Sequence, residues 1–231
     1  MSFKIDVITL VYDPGGREQH VIAECLHELQ SNTMQDFRHI VIDNGSDSST
    51  SDFVCRELRS HDVYVKNATN LGASHGRNQG LQYCSGEFIA NVDSDVVVKT
   101  RGWDVQLCEE LLRESVDIVA PLTDLTSCEA QKSDGLDVGS HRDAFVWFVP
   151  TLCVAMKRLT AWKIGPFDER FTYCMYEDTD YFMRAHLIGL KLKVVGSVFV
   201  RHKSDPRMKD RQIASASAVN QKLYAEKWQG I

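Results

Sequence analysis

Continuous apolar runs alternate with amphipathic helical stretches along the first third of the chain. The run Ile5–Val11 is apolar and mostly β-branched, which is typical of a strand buried on both faces of a sheet. Two more short strands are predicted at 39–42 and Val63–Lys66, and helices with one apolar face at 19–30 and 49–60. Because helices separate short buried strands, this βαβαβ succession predicts an α/β fold with parallel strands and right-handed crossovers.

The stretch 70–99 combines a helix, a buried strand and two aspartates. Small and apolar residues recur there at helical spacing, and a serine-glycine pair predicts the end of that helix. The run Phe88–Val92 is expected to form a strand that delivers Asp93 and Asp95 to its carboxyl end. Ligands of parallel α/β sheets bind at the carboxyl ends of the strands, so these aspartates are expected to line the functional crevice.

The second half of the chain continues this alternation, with one long polar interruption. The pattern predicts strands at 116–121, 145–149 and 152–156, helices at 103–115 and 159–164, a helix from near Asp178, two apolar runs ending at His202, and a helical tail from Pro206. In that tail Ile213, Ala216, Val219 and Leu223 are expected to face inward. The stretch 123–144 is polar and aperiodic, and a loop of that length in a compact domain is usually functional.

Composition and charge restrict the possible functions. The 231 residues suffice for one domain with a full core, and 26 Lys and Arg against 32 Asp and Glu give a net charge of −6. This acidity argues against a protein that binds nucleic acid through a broad basic surface. Seven scattered cysteines, odd in number and without CxxC spacing, favour reduced thiols.

The chain begins directly with a predicted strand and has no apolar run long enough to span a bilayer. We therefore expect a soluble cytoplasmic protein, with peripheral contact to a membrane-bound substrate left open. The oligomeric state is not predicted by the pattern.

Asp93 and Asp95 are the candidate ligands of a divalent cation. Side chains alternate along an extended segment, so both carboxylates point to the same side. Two such ligands can bind Mg²⁺ or Mn²⁺ and leave coordination positions for a diphosphate. A polar turn without metal is the alternative, and the buried strand before the motif favours the metal.

Other charged residues have a functional and a structural interpretation. Asp43, at a strand end, can bind a nucleobase or ribose, or form an Asx-turn. Arg77 can reach a phosphate, or pair with acids on its own helix face. Asp178, at a predicted helix start, can act as a general base, or simply favour the helix dipole. His202 can complete a metal site or be structural.

The motifs, taken in order, resemble family 2 glycosyltransferases with the GT-A fold. They are ITLVYD, VIDNGSDSST, NLGASHGRNQGL, NVDSDVVV, FDERF followed by YEDTD, and VRH. The resemblance implies a Rossmann-like, mainly parallel sheet flanked by helices, with a small acceptor-side β portion. It also implies one domain, in which 1–100 bind the nucleotide sugar, 101–205 bind the acceptor and 206–231 form a helical tail.

The resemblance assigns donor-binding roles to residues of the first half. The nucleoside would be held by Thr9, Val11, Tyr12 and Asp43, with Asp43 reading the base, which favours a UDP-sugar. Arg77 would help to fix the nucleotide, and Ser94 would lie near the ribose. Two departures are Tyr12-Asp13 where Tyr-Asn is more usual, and Asp43-Asn44 where Asp-Asp is common.

The resemblance also assigns the cation and the chemistry. Asp95 would be the main ligand of Mn²⁺ or Mg²⁺, with His202 as a further ligand and Asp93 closer to the sugar. Asp178 would be the catalytic base of an inverting displacement, its pKa lowered by the helix start. The acceptor, a carbohydrate or another hydroxyl-bearing molecule, would contact Trp147, Phe171 and Glu177, with Tyr173 as a further stacking candidate; core packing is the alternative for these aromatic residues.

Two segments are expected to move, the polar stretch 123–144 and the basic loop 203–209, which would close over the donor diphosphate. A catalytically silent nucleotide- or sugar-binding module is the alternative function. A nucleotidyltransferase is disfavoured because its glycine-rich, lysine-containing amino-terminal loop is absent, and transfer to DNA bases is disfavoured by the acidity.

Overall fold

The computed structural model describes residues 5–136, 138–140, 142–203 and 211–230. The strands are β1 Ile5–Val11, β2 Phe37–Asp43, β3 Val63–Lys66, β4 Phe88–Val92, β5 Val96–Val98, β6 Ile118–Thr123, β7 Ala144–Val146, β8 Cys153–Lys157 and β9 Leu192–His202. The helices are α1 Gln19–Asn32, α2 Ser48–Glu57, α3 Ala73–Tyr83, α4 Trp103–Leu111, α5 Arg158–Ile164, α6 Glu177–Leu187 and α7 Arg211–Lys227, with a 3-10 turn at Glu129–Gln131.

These strands form a single mixed sheet, in the order β3-β2-β1-β4-β8-β6-β9-β5, with β7 paired to β9. The first four strands are parallel, as the βαβαβ pattern predicts. Beyond β4, strands β8, β5 and β7 run antiparallel to their neighbours, and β6 with β9 is the one parallel pair among those described. The sheet is therefore less parallel than predicted, because its second half is built largely from antiparallel pairs.

Apolar residues of the central strands pack on both faces of the sheet. In β4, Phe88, Ala90 and Val92 belong to one buried cluster and Ile89 to another. Successive side chains of a strand point to opposite faces, so this division explains why four of the five residues of β4 are apolar, Asn91 being the exception.

Helix α3 lies unusually close to β1. A Cβ atom on Gly76 would collide with Leu10, and one on Gly80 with Ile8 at 2.5 Å. Only glycine permits this separation, and larger residues would push the helix off the sheet. The close approach brings Arg77, the next residue after Gly76, to the carboxyl end of the sheet.

Two expectations for the second half change, and a third is not tested. The two apolar runs before His202 form one continuous strand, β9. In α7 Ala216 is buried, but Val219 is 61% exposed and its neighbour Asn220 is fully buried. The predicted movement of the loop 203–209 concerns residues that, after Lys203, lie outside the described ones. None of the described helices is both long and apolar enough to cross a membrane.

Candidate active site

A crevice of about 630 Å³ opens at the carboxyl ends of β1, β2 and β4. It is the position at which ligands bind in open α/β sheets. Eight of the residues predicted from the sequence line it: Tyr12, Arg77, Asp93, Ser94, Asp95, Glu177, Asp178 and His202. The fold therefore brings together the amino-terminal strand, the aspartate motif, the start of α6 and the end of β9.

Asp95 and His202 face each other because β5 and β9 pair antiparallel, with Val96 opposite His202. The His202 Nε2 atom lies 3.5 Å from Asp95 Oδ2, and the amide of Lys203 donates to the Asp95 carbonyl at 2.8 Å. Burial disfavours the imidazolium, but the Asp95 carboxylate outweighs it and raises the pKa of His202 to about 9. The pair is thus strongly coupled.

The chemistry of this pair fits a divalent cation. The Nδ1 atom of His202 lies 3.0 Å from the carbonyl of Leu125; with Nδ1–H donated there, Nε2 is the atom that would bind a cation, in place of the proton that it shares with Asp95. No group of three His, Cys, Asp or Glu side chains among the described residues is arranged to hold a metal. Two protein ligands suit Mg²⁺ or Mn²⁺, which usually keep positions for water and substrate phosphates.

The third predicted ligand, Asp93, is engaged by Arg77 instead. The guanidinium of Arg77 places Nη2 3.2 Å from Asp93 Oδ1 and Nη1 2.7 Å from Glu177 Oε1. Burial opposes the charge of Arg77, but the two carboxylates raise its pKa above the ordinary value. Arg77 is therefore an internal cation that joins Asp93 to α6, and each of its terminal nitrogens already donates to a carboxylate.

Both side chains of the Arg77–Glu177 ion pair are almost completely buried. Glu177 Oε2 and Arg77 Nε find no hydrogen-bond partner among the described residues. Buried polar atoms are rarely left in this state without water or a ligand. Both residues line the crevice, but these two atoms are themselves buried behind its surface.

Asp178 lies beside this network on the first turn of α6. Burial is the main cause that raises its pKa to about 7, the adjacent carboxylate of Glu177 adds to it, and Arg77 opposes it. The expectation that the helix start lowers this pKa is wrong, because burial and a like charge outweigh the dipole. The amide and hydroxyl of Thr179 both donate to Oδ1, and no described residue donates to Oδ2.

Cys25 of α1 supports the turn that carries the aspartate motif. Its buried Sγ donates to the carbonyl of Val96 at 2.8 Å and lies 3.4 Å from that of Asp93. Burial raises the pKa of this thiol far above its ordinary value, so it stays protonated. The sequence pattern identified Cys25 only as a residue of the apolar helix face.

Three of the predicted nucleoside-binding residues do not reach the crevice. Thr9 is fully buried, with Oγ1 2.8 Å from His39 Nε2, and Val11 packs in an apolar cluster. Asp43 is fully buried as well, and its carboxylate accepts from the amide of Ser46 and from two hydroxyls. Burial raises and these donors lower the pKa of Asp43, with a net fall. Asp43 therefore stabilises the turn after β2 through the amide three residues on, rather than through the two-residue spacing of an Asx-turn.

Tyr12 lines the crevice, together with two asparagines to which the sequence assigned no binding role. Asn44 and Asn70 lie there, joined by a hydrogen bond of 2.8 Å from Asn44 Nδ2 to Asn70 Oδ1. Asn44 also accepts from the amide of Leu71. Asparagine at a strand end was the available signal, but it is equally typical of turns.

Two predicted acceptor residues lie elsewhere. Phe171 is fully buried, with Lys227 Nζ 5.9 Å from its ring centre, and is a core residue. Trp147 is half-exposed in a separate groove, which it lines with Phe145, Val146 and Phe148. That groove and the crevice share Ser127. Tyr173 and Glu177 lie in the crevice itself.

Comparison with known proteins supports this architecture. The family model described as "Glycosyl transferase family 2" matches residues 7–140, more than half of the chain. The pre-mycofactocin glycosyltransferase of Mycobacterium tuberculosis is 28% identical over 195 residues, which cover 77% of this chain and 40% of that protein.

Two solved structures share the fold. GalNAc-T7 with UDP, GalNAc and Mn²⁺ matches with a TM-score of 0.76 at 14% identity, over 98% of this chain and 49% of that one. The mannosyltransferase PcManGT of Pyrobaculum calidifontis, with GDP-Man and Mn²⁺, matches with a TM-score of 0.71 at 18% identity, over 98% and 64%. The predicted GT-A fold is confirmed.

The chain matches only part of the length of each of these proteins. It spans about two fifths of the pre-mycofactocin glycosyltransferase and about half to two thirds of the two solved structures. The family match and the fold agree with the motif order in the sequence, and the chain belongs to glycosyl transferase family 2.

Proposed function

We propose that this protein is an inverting glycosyltransferase that transfers a sugar from a nucleoside diphosphate to an acceptor hydroxyl, with Asp178 as the base. The observation that carries the proposal is a single crevice lined by both the Asp95–His202 pair and Asp178. One wall offers ligands for a cation and diphosphate, and another offers a carboxylate with a pKa near the operating range of a general base.

The chain's own residues divide the reaction between them. Asp178 accepts the proton of the acceptor hydroxyl at Oδ2, the oxygen that no described residue already occupies. Glu177, paired with Arg77 at 2.7 Å, keeps a carboxylate beside Asp178 and thereby raises the pKa of Asp178. The hydroxyl attacks the anomeric carbon from the face opposite the diphosphate, which inverts the configuration and releases the nucleotide.

The cation is proposed to bind Asp95 and His202, with phosphate oxygens and water completing its coordination. When bound, it supplies Lewis acidity that stabilises the leaving diphosphate. Asp93, held by Arg77, is left to contact the donor sugar or ribose rather than the cation. GalNAc-T7 and PcManGT, which share the fold, have Mn²⁺ in their solved structures.

We propose that the nucleobase of the donor is uracil, so that the donor is a UDP-sugar. Tyr12 lines the nucleoside end and is expected to stack on the base. Asp43 supports the shape of this end without touching the ligand, since its oxygens are already engaged. The base is then selected by backbone groups and pocket shape, and only the uridine complex of GalNAc-T7 points to UDP rather than GDP.

A panel of nucleoside diphosphates with Mn²⁺ tests this proposal by thermal shift. UDP is expected to raise the melting temperature more than GDP, dTDP and ADP, because a ligand of the native state stabilises it. Turnover is then followed as release of UDP from UDP-glucose, UDP-galactose and their N-acetylated forms, with a panel of simple glycosides as acceptors and with water alone. Binding without any turnover would favour a silent nucleotide-binding module, and no shift with any nucleotide would refute the proposed function.

A further inference from the structure

The turn of residues 172–176 forms one wall of the crevice and leads directly into the helix that carries Asp178. Three of its residues, Tyr173, Met175 and Tyr176, have φ values of 59°, 80° and 71°. This is the left-handed region, which side chains other than glycine rarely adopt. Conformations of this kind persist only where surrounding contacts hold them.

One fully buried side chain, Asn220 of α7, bonds the backbone of this turn. Its Oδ1 accepts from the amide of Thr172 at 3.2 Å. Its Nδ2 donates to the carbonyls of Thr172, Cys174 and Met175 at 2.8, 3.0 and 3.0 Å. A single amide group therefore accounts for three of the carbonyls in the turn.

Neighbouring contacts fix the two sides of the same turn. The carbonyl of Tyr173 accepts from the amide of Ala73, at the start of α3, at 2.6 Å. Lys227, the last residue of α7, and Trp228, which follows it, both bind the buried carboxylate of Asp180, two residues after Asp178, at 2.7 and 3.1 Å. The turn and the first turn of α6 are thus held between α3 and α7.

We propose that Asn220 is a positioning residue for the transfer reaction. Its amide holds the 172–176 turn in its strained form. The turn then sets the position of Asp178 and forms, through Tyr173 and Met175, the wall at which the acceptor is proposed to bind. The C-terminal helix is then part of the catalytic unit rather than a peripheral tail. This inference rests on the proposed role of Asp178 as the base.

Two substitutions separate this role from general stability. Asn220→Ala removes the whole amide, and Asn220→Asp keeps its shape and the acceptor for the Thr172 amide but has no N–H for the carbonyls. Val219→Ala is the matched control, because it changes the adjacent, exposed residue of the same helix. Asp104→Asn is the stability control: this buried carboxylate caps the amides of Met34 and Gln35 and does not line the crevice.

The experiment measures three quantities for each variant: UDP affinity with Mn²⁺, turnover of the nucleotide sugar that the wild type uses, and amide hydrogen exchange of 172–180. For both Asn220 variants we expect UDP affinity within about threefold of wild type, kcat lower by about tenfold to a hundredfold, and faster exchange across 172–180. Both controls should keep kcat per folded molecule within about twofold and leave this exchange unchanged.

Amide hydrogen exchange in the absence of ligand tests the clamp, which is the set of hydrogen bonds from Asn220 to the 172–176 turn, separately from catalysis. Unchanged exchange at 172–180 in the Asn220 variants would overturn the inference even in an active enzyme. A loss of kcat no larger than that of Asp104→Asn at equal melting temperature would also overturn it. If the wild type turned over no nucleotide sugar, the proposed function would fail, whereas faster exchange in Asn220→Ala would still establish the clamp.

Discussion

Replacement of Glu177 by glutamine tests the electrostatics of the proposed base. The carboxylate of Glu177 raises the pKa of Asp178, and Arg77 opposes that effect. In Glu177→Gln one like charge disappears and the charge of Arg77 is less neutralised, so both changes lower the pKa of Asp178. A neighbouring charge typically shifts a pKa by about one unit or more, which equals about 1.4 kcal/mol.

The pH dependence of kcat reports this change. Since Asp178 acts deprotonated, the rate of the wild type should rise with pH through about 7. A fall of about one unit in the pKa of Asp178 would raise its deprotonated fraction at pH 6 from about one tenth to about one half. The rate at pH 6 should therefore rise about fivefold in Glu177→Gln, with little change at pH 8. The assay is UDP release between pH 5 and 9, corrected for the folded fraction.

The control is Glu169→Gln, an exposed glutamate that binds His75 and Asn78 outside the crevice. Its rate profile should coincide with that of the wild type. Glutamine at 177 still offers an oxygen to Arg77 Nη1, so the variant is expected to fold. The rate of Glu177→Gln should begin to rise at a lower pH than that of the wild type. A rise at the same pH, or at a higher pH, would refute the proposed effect of Glu177 on the pKa of Asp178.

Three further predictions concern single side chains. Asp178→Asn should raise the melting temperature at pH 8 by several degrees but not at pH 4, as melting curves at both pH values would show. Folding raises the pKa of Asp178 from 3.8 to about 7, so the wild-type protein becomes less stable as the pH rises between those values, and the asparagine variant does not. His202→Ala should remove at least about tenfold of the Mn²⁺-dependent gain in UDP affinity seen by calorimetry, while affinity in EDTA stays unchanged. Asp43→Asn should cost about 1–3 kcal/mol in urea unfolding through its altered hydroxyl contacts, with the preference for UDP over GDP retained; loss of that preference would restore Asp43 as the base reader.

The alternation of apolar runs and helical stripes predicted the first half of the fold well. Strands such as Ile5–Val11 are buried on both faces, and that burial is the property that produces a continuous apolar sequence. The same rule placed Asp93 and Asp95 at a strand end, where the structure has them. The antiparallel pairings of β8 and β5 were not predictable from the sequence pattern. The spacing of apolar residues indicates which residues are buried, but it does not indicate in which direction a strand runs relative to its neighbour.

The errors at the site have a common physical cause. Periodicity assigned Val219 to the inner face of α7, but the contact there is with bare backbone carbonyls, which require the donor that Asn220 supplies. Arg77 was expected to reach a phosphate, and the pattern did not predict that its terminal nitrogens donate to the buried Glu177 and the partly exposed Asp93. Contacts of this kind join residues far apart in sequence, and local pattern carries no information about them.

Comparison of the wild type with Asp178→Asn tests the central claim most directly. Both proteins are incubated with Mn²⁺ and the nucleotide sugar selected by the panel, and release of UDP is measured alongside UDP affinity. The account predicts equal affinity within about threefold and a rate at least about a hundredfold lower in Asp178→Asn, since the base is lost and the nucleotide site is intact. Equal rates in the two proteins would contradict it.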